Sequence, residues 1–218
     1  MKQAQLDQLN AEAKGKSAQE ILQAALTLTG SNAKPVVTTN FRPYEAVILH
    51  MATRINPDLP ILWVDHGANL PETYRFAEAC REQLGLKLLP FVPQMTANHW
   101  LALNGPNLPA PDEVTRVEDF SRIMKLEPFQ RGMNALKPTL WITALRREQN
   151  SQRSSSLSPF QWDPNFNCLK VNPLLEWTTP DLEAYLDANQ LPNERTYYDP
   201  AKGDENHECG LHAKLTTA

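Results

Sequence analysis

From Pro35 onward the chain alternates two textures, and that alternation restricts its fold more than any other feature. PVVTT (35–39), ILWVD (61–65), KLLPFV (87–92), TLWITAL (139–145) and CLKVNPL (168–174) are short and rich in apolar or β-branched residues, the pattern of strands buried in a parallel sheet. Between them YEAVILHMATRI (44–55), PETYRFAEACREQLG (71–85) and DEVTRVEDFSRIMKLEPFQRGMNAL (112–136) carry helical periodicity. Pro71 stands where a helix begins and Gly85 where one stops. Strand, helix and strand in repeating order predict an α/β fold: a doubly wound, mostly parallel sheet with helices on both faces. Ligands of such sheets bind at the carboxyl ends of the strands.

The residues before Pro35 read as helical, with Ser17 and Glu20 forming a capping box before ILQAALTL, and Gly30-Ser31-Asn32 ending the pattern. Proline outnumbers glycine 18 to 8, and several prolines fall in NGPNLPAPDE (104–113) and SPFQWDPN (158–165), which read as ordered loops. RREQNSQRSSSLS (146–158) has the serine-rich composition of a mobile loop. TPDLEAYLDANQ (179–190) predicts a last helix capped by Thr179. After Leu191 the sequence is polar and turn-rich. The expected organisation is one domain over 1–191, including the N-terminal helical segment, and a mobile C-terminal tail over 192–218.

Composition narrows the function classes. The 218 residues carry 21 basic against 25 acidic side chains, a net charge of −4 that disfavours a broad nucleic-acid surface. No run approaches the ~18 apolar residues of a membrane span, and MKQAQLDQLNAEAKGKS lacks a signal-peptide core, so a cytoplasmic protein is expected. The three cysteines, Cys80, Cys168 and Cys209, form neither a disulfide framework nor a paired metal knuckle.

Four stretches could carry chemistry. In VVTTNFRPYEAVILH (36–50) a strand passes through a polar turn into a helix, so Thr38, Thr39 and Asn40 offer hydroxyls, an amide and backbone N–H groups to a phosphate or sulfate. The Walker pattern is absent, and an ordinary threonine-capped β–α turn would use the same residues. In VDHGANLPETYRFAEAC (64–80), Asp65 ends a strand and Gly67 permits close backbone approach; a turn with a helix cap is the plain alternative. ALRREQNSQR (144–153) places Arg146, Arg147 and Arg153 after a strand, as a multiply charged anion would require, although surface arginines scatter in the same way. In HECGLH (207–212), Cys209 beside Gly210 has the open setting of a nucleophile that meets two partners. His207, Cys209 and His212 are spaced too tightly for a closed tetrahedral metal site. Cys80 on an amphipathic helix and Cys168 at the head of an apolar strand read as core, and His50 and His99 as structural.

Together these stretches resemble the phosphoadenosine phosphosulfate (PAPS) reductases, within the adenylyl-sulfate reductase and PP-loop superfamily. The similarity runs from about Val36 to Leu191 and resumes at Glu208. PETYRF (71–76), LRREQ (145–149) with Arg153, and ECGLH (208–212) look like the family's signatures in the family's order, with LEPFQRGMNAL and VNPLLEW resembling connecting segments. The resemblance implies an adenine nucleotide alpha hydrolase-like fold and Cys209 as nucleophile. Its thiolate would attack the sulfonyl sulfur, expel adenosine 3′,5′-bisphosphate and leave an S-sulfocysteine from which thioredoxin or glutaredoxin releases sulfite. No bound cofactor is implied, and the family is often dimeric. By the same resemblance Thr38, Thr39 and Asn40 match the phosphate turn, Asp65 and Gly67 an Asp-x-Gly element near the nucleotide, and Arg146, Arg147 and Arg153 the anion-neutralising arginines.

The chain also departs from the family. Its turn continues Phe41-Arg42-Pro43-Tyr44 where a Phe-Gly-x-Gln pattern is usual, and Asn150, Ser151 and Gln152 replace a Ser-Gly-Ser-like stretch. Only PNERTYYDPAKGDENH (192–207) fills the interval where the family has a longer segment with a Gly-x-Thr-His-Thr-Thr-like motif. Iron–sulfur adenylyl-sulfate reductases need four cluster cysteines, and three non-adjacent ones exclude that cluster. Thioredoxin-dependent PAPS reduction is the expected function. The alternatives are a non-catalytic or substrate-shifted nucleotide-binding homologue, an adenylyl-sulfate reductase without a cluster, and an ATP-using relative, which the missing Ser-Gly-Gly-x-Asp-Ser turn disfavours.

Overall fold

A computed structural model of the chain describes residues 1–28, 30, 33–149 and 157–201. Arg153 and Cys209 lie outside the described residues, as does most of the serine-rich stretch and the end of the chain from residue 202. Helices α1 (Gln3–Glu12) and α2 (Ala18–Leu28) come first. The Ser17 capping box forms as expected: the Ser17 hydroxyl donates to Glu20 Oε2 at 2.7 Å, and the Glu20 amide donates to Ser17 Oγ at 3.3 Å.

The α/β alternation follows as β1 (Pro35–Thr39), α3 (Ala46–Ile55), β2 (Pro60–Val64), α4 (Pro71–Leu84) and β3 (Lys87–Phe91). Pro71 opens α4, and Gly85 caps it with a left-handed φ of 62°. Next come α5 (Ala97–Asn104), α6 (Val114–Ser121), α7 (Glu127–Leu136), β4 (Leu140–Ile142), β5 (Phe160–Asp163), β6 (Cys168–Val171) and α8 (Thr179–Ala188).

The six strands form one sheet in the order β3-β2-β1-β4-β6-β5. Every pairing is parallel except β5 with β6. The chain winds from β1 outward to β3, then crosses back to β4 on the other side of β1. The order therefore reverses between β1 and β4, and a crevice is expected at their carboxyl ends. Alternation along the strands buries both faces. Val37, Ile61, Trp63, Leu140 and Ile142 join α2, α3, α4 and α8 in one core, while Val36, Leu62, Val64 and Trp141 pack under Phe129 and Met133 of α7 in another. Gly132 lets α7 come this close, since a Cβ there would lie 2.7 Å from Leu62 Cδ1 and 3.1 Å from the Phe91 ring.

Several expectations need correction. β3 is an edge strand with no fully buried residue, because among the described residues no strand pairs with its outer side. SPFQWDPN holds the antiparallel edge strand β5 rather than loop alone. Residues 112–136 are not one helix: a turn of π-helix, Arg122–Leu126, separates α6 from α7. Pro128 supplies the reason, since it has no N–H to donate and its ring would crowd the carbonyl one turn back, and the wider turn relieves both. The last helix is capped by Thr178, whose hydroxyl and amide bond Asp181, and not by Thr179.

Residues 192–201 run along the domain. Asn193 Oδ1 accepts the Tyr44 N–H at 2.9 Å, and Ala201 is buried with Trp100, Phe120 and Met124. Among the described residues no helix is long and apolar enough to cross a membrane.

Candidate active site

A cleft opens at the carboxyl ends of β1 and β4, where the strand order reverses. Thr38, Thr39 and Asn40 form one wall, with Thr143, Ala144, Leu145 and Gln149 opposite. Leu62, Val64 and Phe129 give it an apolar floor, and Arg42 and Glu45 bring opposite charges to its edge.

The β1 turn is tightly organised. Thr38 Oγ1 accepts the Trp141 indole N–H at 2.9 Å, which ties β1 to β4 across the sheet. Thr39 Oγ1 accepts the Phe41 N–H at 3.0 Å and donates to Glu45 Oε2 at 2.6 Å. The backbone reverses at Phe41 (φ 50°) and Tyr44 (φ 71°), a left-handed conformation that bulky side chains adopt only when their surroundings hold them there. The Phe41 ring is held edge-on by Trp63 and Phe76 at 5.1 and 6.1 Å, and Tyr44 by Asn193 and Glu183. Two strained residues thus flank Arg42-Pro43.

Asp65 and Gly67 lie at the end of β2, outside the cleft lining. Asp65 Oδ1 gathers the Gly67 amide at 2.9 Å, the Asn69 side-chain amide at 3.0 Å and the Tyr74 hydroxyl at 2.8 Å. Burial and this carboxylate push Tyr74 up to about 12. Gly67 turns at φ 72°, a conformation that suits glycine. The structure therefore shows Asp65 organising its own loop.

Arg146 and Arg147 point to different places. Arg146 is buried, bonds Glu148 Oε2 at 2.7 Å and reaches the Trp177 carbonyl at 3.3 Å. Arg147 bonds Glu176 at 2.8 Å and lines a separate groove with Asn10 and Trp177. Neither lines the cleft, and each has a carboxylate partner in hand. Gln149 stands at the cleft instead, and its Oε1 accepts the Arg146 amide at 3.2 Å.

Cys80 and Cys168 are both buried, on opposite faces of the sheet. Burial, reinforced by Glu45 near Cys80 and Asp163 near Cys168, pushes each thiol up to about 12, so neither presents a thiolate at neutral pH.

Glu45 and His66 were not singled out from the sequence. Glu45 stands at the N-cap position of α3, makes no side-chain cap bond there, and turns its carboxylate back into the β1 turn. The available signal was an acidic residue three positions after Arg42, the offset of a capping-box back-bond. His66 is buried beside Asp65; its Nδ1 accepts the Ala68 amide, and Nε2 lies 4.0 Å from Asp199. Burial, opposed by Asp199, lowers it to about 4, so at neutral pH this contact joins a neutral imidazole to a carboxylate and is not an ion pair.

A family model described as the phosphoadenosine phosphosulfate reductase domain matches residues 34–199. A phosphoadenosine 5′-phosphosulfate reductase from a Synechococcus species is 35% identical over 191 residues, covering 86% of this chain and 78% of that protein. One from Xanthomonas axonopodis pv. citri is 32% identical over 187 residues, covering 86% and 75%. In fold the chain is similar to a Candida auris PAPS reductase crystallised with phosphate, with a TM-score of 0.74 at 22% identity, covering 88% of this chain and 89% of the other. A tRNA thiolase from Methanococcus maripaludis shares the fold more distantly, at a TM-score of 0.53 and 11% identity, covering 84% and 65%.

Proposed function

The chain belongs to the phosphoadenosine phosphosulfate reductase family, and we propose that it reduces 3′-phosphoadenylyl sulfate to sulfite and adenosine 3′,5′-bisphosphate. The carrying observation is the cleft at the sheet's reversal point, where the polar β1 turn faces the Thr143–Leu145 wall. An adenine nucleotide would lie across that crevice, with an anionic group at the amides and hydroxyls of Thr38, Thr39 and Asn40.

The chemistry is assigned to Cys209. Its thiolate attacks the sulfonyl sulfur, forming an S–S bond as the bond from sulfur to the phosphate oxygen breaks. The electron pair of that bond leaves with adenosine 3′,5′-bisphosphate. A thiolate of reduced thioredoxin or glutaredoxin then attacks Cys209 Sγ, and sulfite departs with the electron pair of the S–S bond. The donor's second thiol resolves the mixed disulfide, so the donor ends oxidised and Cys209 returns as a thiol. Cys80 and Cys168, held protonated by burial, do not compete for the nucleophile's role.

Arg146, Arg147 and Arg153 are assigned to neutralise the leaving group. For Arg146 and Arg147 this requires exchanging Glu148 and Glu176 for the nucleotide, a rearrangement of side chains on the short turn Arg147–Gln149 and beside it. Asp65 and Gly67 shape the neighbouring loop. Cytoplasmic location and a homodimer belong to the same reading.

Glu45 favours a second reading, a homologue shifted toward a less charged substrate, since a carboxylate already stands in the phosphate turn. Sulfite release measured in parallel from 3′-phosphoadenylyl sulfate and adenylyl sulfate, with reduced thioredoxin or glutaredoxin, separates the two. Faster release from the phosphorylated substrate is expected. Release from adenylyl sulfate alone would replace the first reading with the second.

A further inference from the structure

The turn after β1 already holds an anion, and the anion is the chain's own. Glu45 Oε2 alone accepts from Thr39 Oγ1 at 2.6 Å, from the Asn40 amide at 2.8 Å and from the Arg42 amide at 3.3 Å. A hydroxyl and two amides converging on one oxygen form the cradle that a phosphate oxygen uses. The left-handed backbone at Tyr44 reverses the chain so that the next residue, Glu45, faces the turn it has just left. Asn193 and Glu183 hold Tyr44 there through its amide and hydroxyl.

We propose that Glu45 is the residue that sets the cleft's selectivity among anions: its carboxylate holds the place of a phosphate oxygen, so phosphate enters only as Glu45 leaves. This rests on reading the cleft as the nucleotide site. Two oxyanions cannot share one set of donors, and like charges in contact repel strongly in a partly closed cleft. The incoming group must therefore displace the carboxylate and outbid it, and the penalty grows with the charge the ligand brings to the turn. Selectivity by an internal repulsive element is a general device of specific sites. Arg42 supplies the opposing attraction. It lines the same cleft, its guanidinium lies over the Tyr197 ring at 5.8 Å, and its Nε makes no hydrogen bond among the described residues.

The test compares the full-length chain with Glu45→Ala and Glu45→Gln by titration calorimetry, using adenosine 3′,5′-bisphosphate and, as the uncharged control, adenosine. Glu45→Ala empties the cradle, and Glu45→Gln keeps the side chain's shape without its charge should the alanine variant fold poorly. Both variants are expected to bind the bisphosphate about tenfold tighter or more, with adenosine unchanged. Bisphosphate binding that stays the same or weakens in folded Glu45→Gln overturns the proposal, as does an equal gain for adenosine. The assay of sulfite release stands apart. Tightening in a chain that makes no sulfite would count against PAPS reduction and leave Glu45's role in place. Sulfite release without tightening would do the reverse.

Discussion

Lys125 and Asp199, 74 residues apart in sequence, form an ion pair closed off from solvent, with side chains only 1% and 2% exposed. The π turn between α6 and α7 carries Lys125, and the last described stretch of the chain carries Asp199. Burial alone would raise the Asp199 carboxyl, but Lys125 and His66 outweigh it and bring it down to about 2. The Ala201 amide donates to Asp199 Oδ1 at 3.1 Å, so the pair fixes the backbone just ahead of the residues that carry Cys209.

Breaking this pair from one side strands the other charge in the interior. Asp199→Asn is expected to destabilise the fold by roughly 3–5 kcal/mol in urea denaturation. Lys125→Met combined with Asp199→Asn should recover much of that loss, because the stranded ammonium is gone. A double variant no better than Asp199→Asn would show that the charge pairing is not what the site depends on.

Acid should weaken the fold through His66. Its folded value near 4 lies below the ordinary 6.5, so the unfolded chain takes up the proton first. The stabilisation is complete above about 6.5 and is lost as pH falls toward 4, on the order of 2–3 kcal/mol across that window. Asp199 has the same sign but a lower window: its contribution is complete above about 3.8 and fades as pH falls through about 2. Denaturation midpoints between pH 7 and pH 4.5 should therefore fall in the parent chain and fall less in His66→Asn. Parallel slopes for the two would contradict the assignment.

Gly132 should tolerate no side chain. Alanine would gain about 1 kcal/mol of helix propensity, but its methyl would meet Leu62 and the Phe91 ring and push α7 off the sheet, which costs about 1–3 kcal/mol. Net destabilisation of Gly132→Ala by thermal melting is the expected result, with loss of cleft binding because Phe129 on the same helix forms the floor. An alanine variant as stable as the parent would show that Leu62 moves aside freely.

The central strands were legible in sequence because burial on both faces makes them apolar throughout: Val36 and Val37, or Leu62 and Trp63, serve opposite cores and both must be hydrophobic. The edges were not. FQWD pairs on one side only among the described residues and lies between prolines, so its pattern reads as loop, and ANHWLALN is too short and too weakly amphipathic to stand out as α5. Pro128 was visible, but the π turn it favours also depends on burying Lys125 against a residue far along the chain.

The β1 turn was legible from its residue types and its place after a strand. What fills it was not, since the position of Glu45 depends on the backbone reversing at Phe41 and Tyr44, two residues that ordinarily avoid that conformation. The arginines show the same limit. LRREQ marks the segment, while Arg146 turns to Glu148 within that segment and Arg147 turns to Glu176, which only tertiary structure brings into reach.

The most direct measurement is the mass of the intact protein after incubation with 3′-phosphoadenylyl sulfate in the absence of a thiol donor, followed by peptide mapping. A gain of one SO3 group, carried by Cys209, removed by reduced thioredoxin with release of sulfite and absent from Cys209→Ser, is the expected result. A chain that binds the nucleotide but gains no mass, or carries the group on Cys80 or Cys168, would contradict Cys209 as the nucleophile.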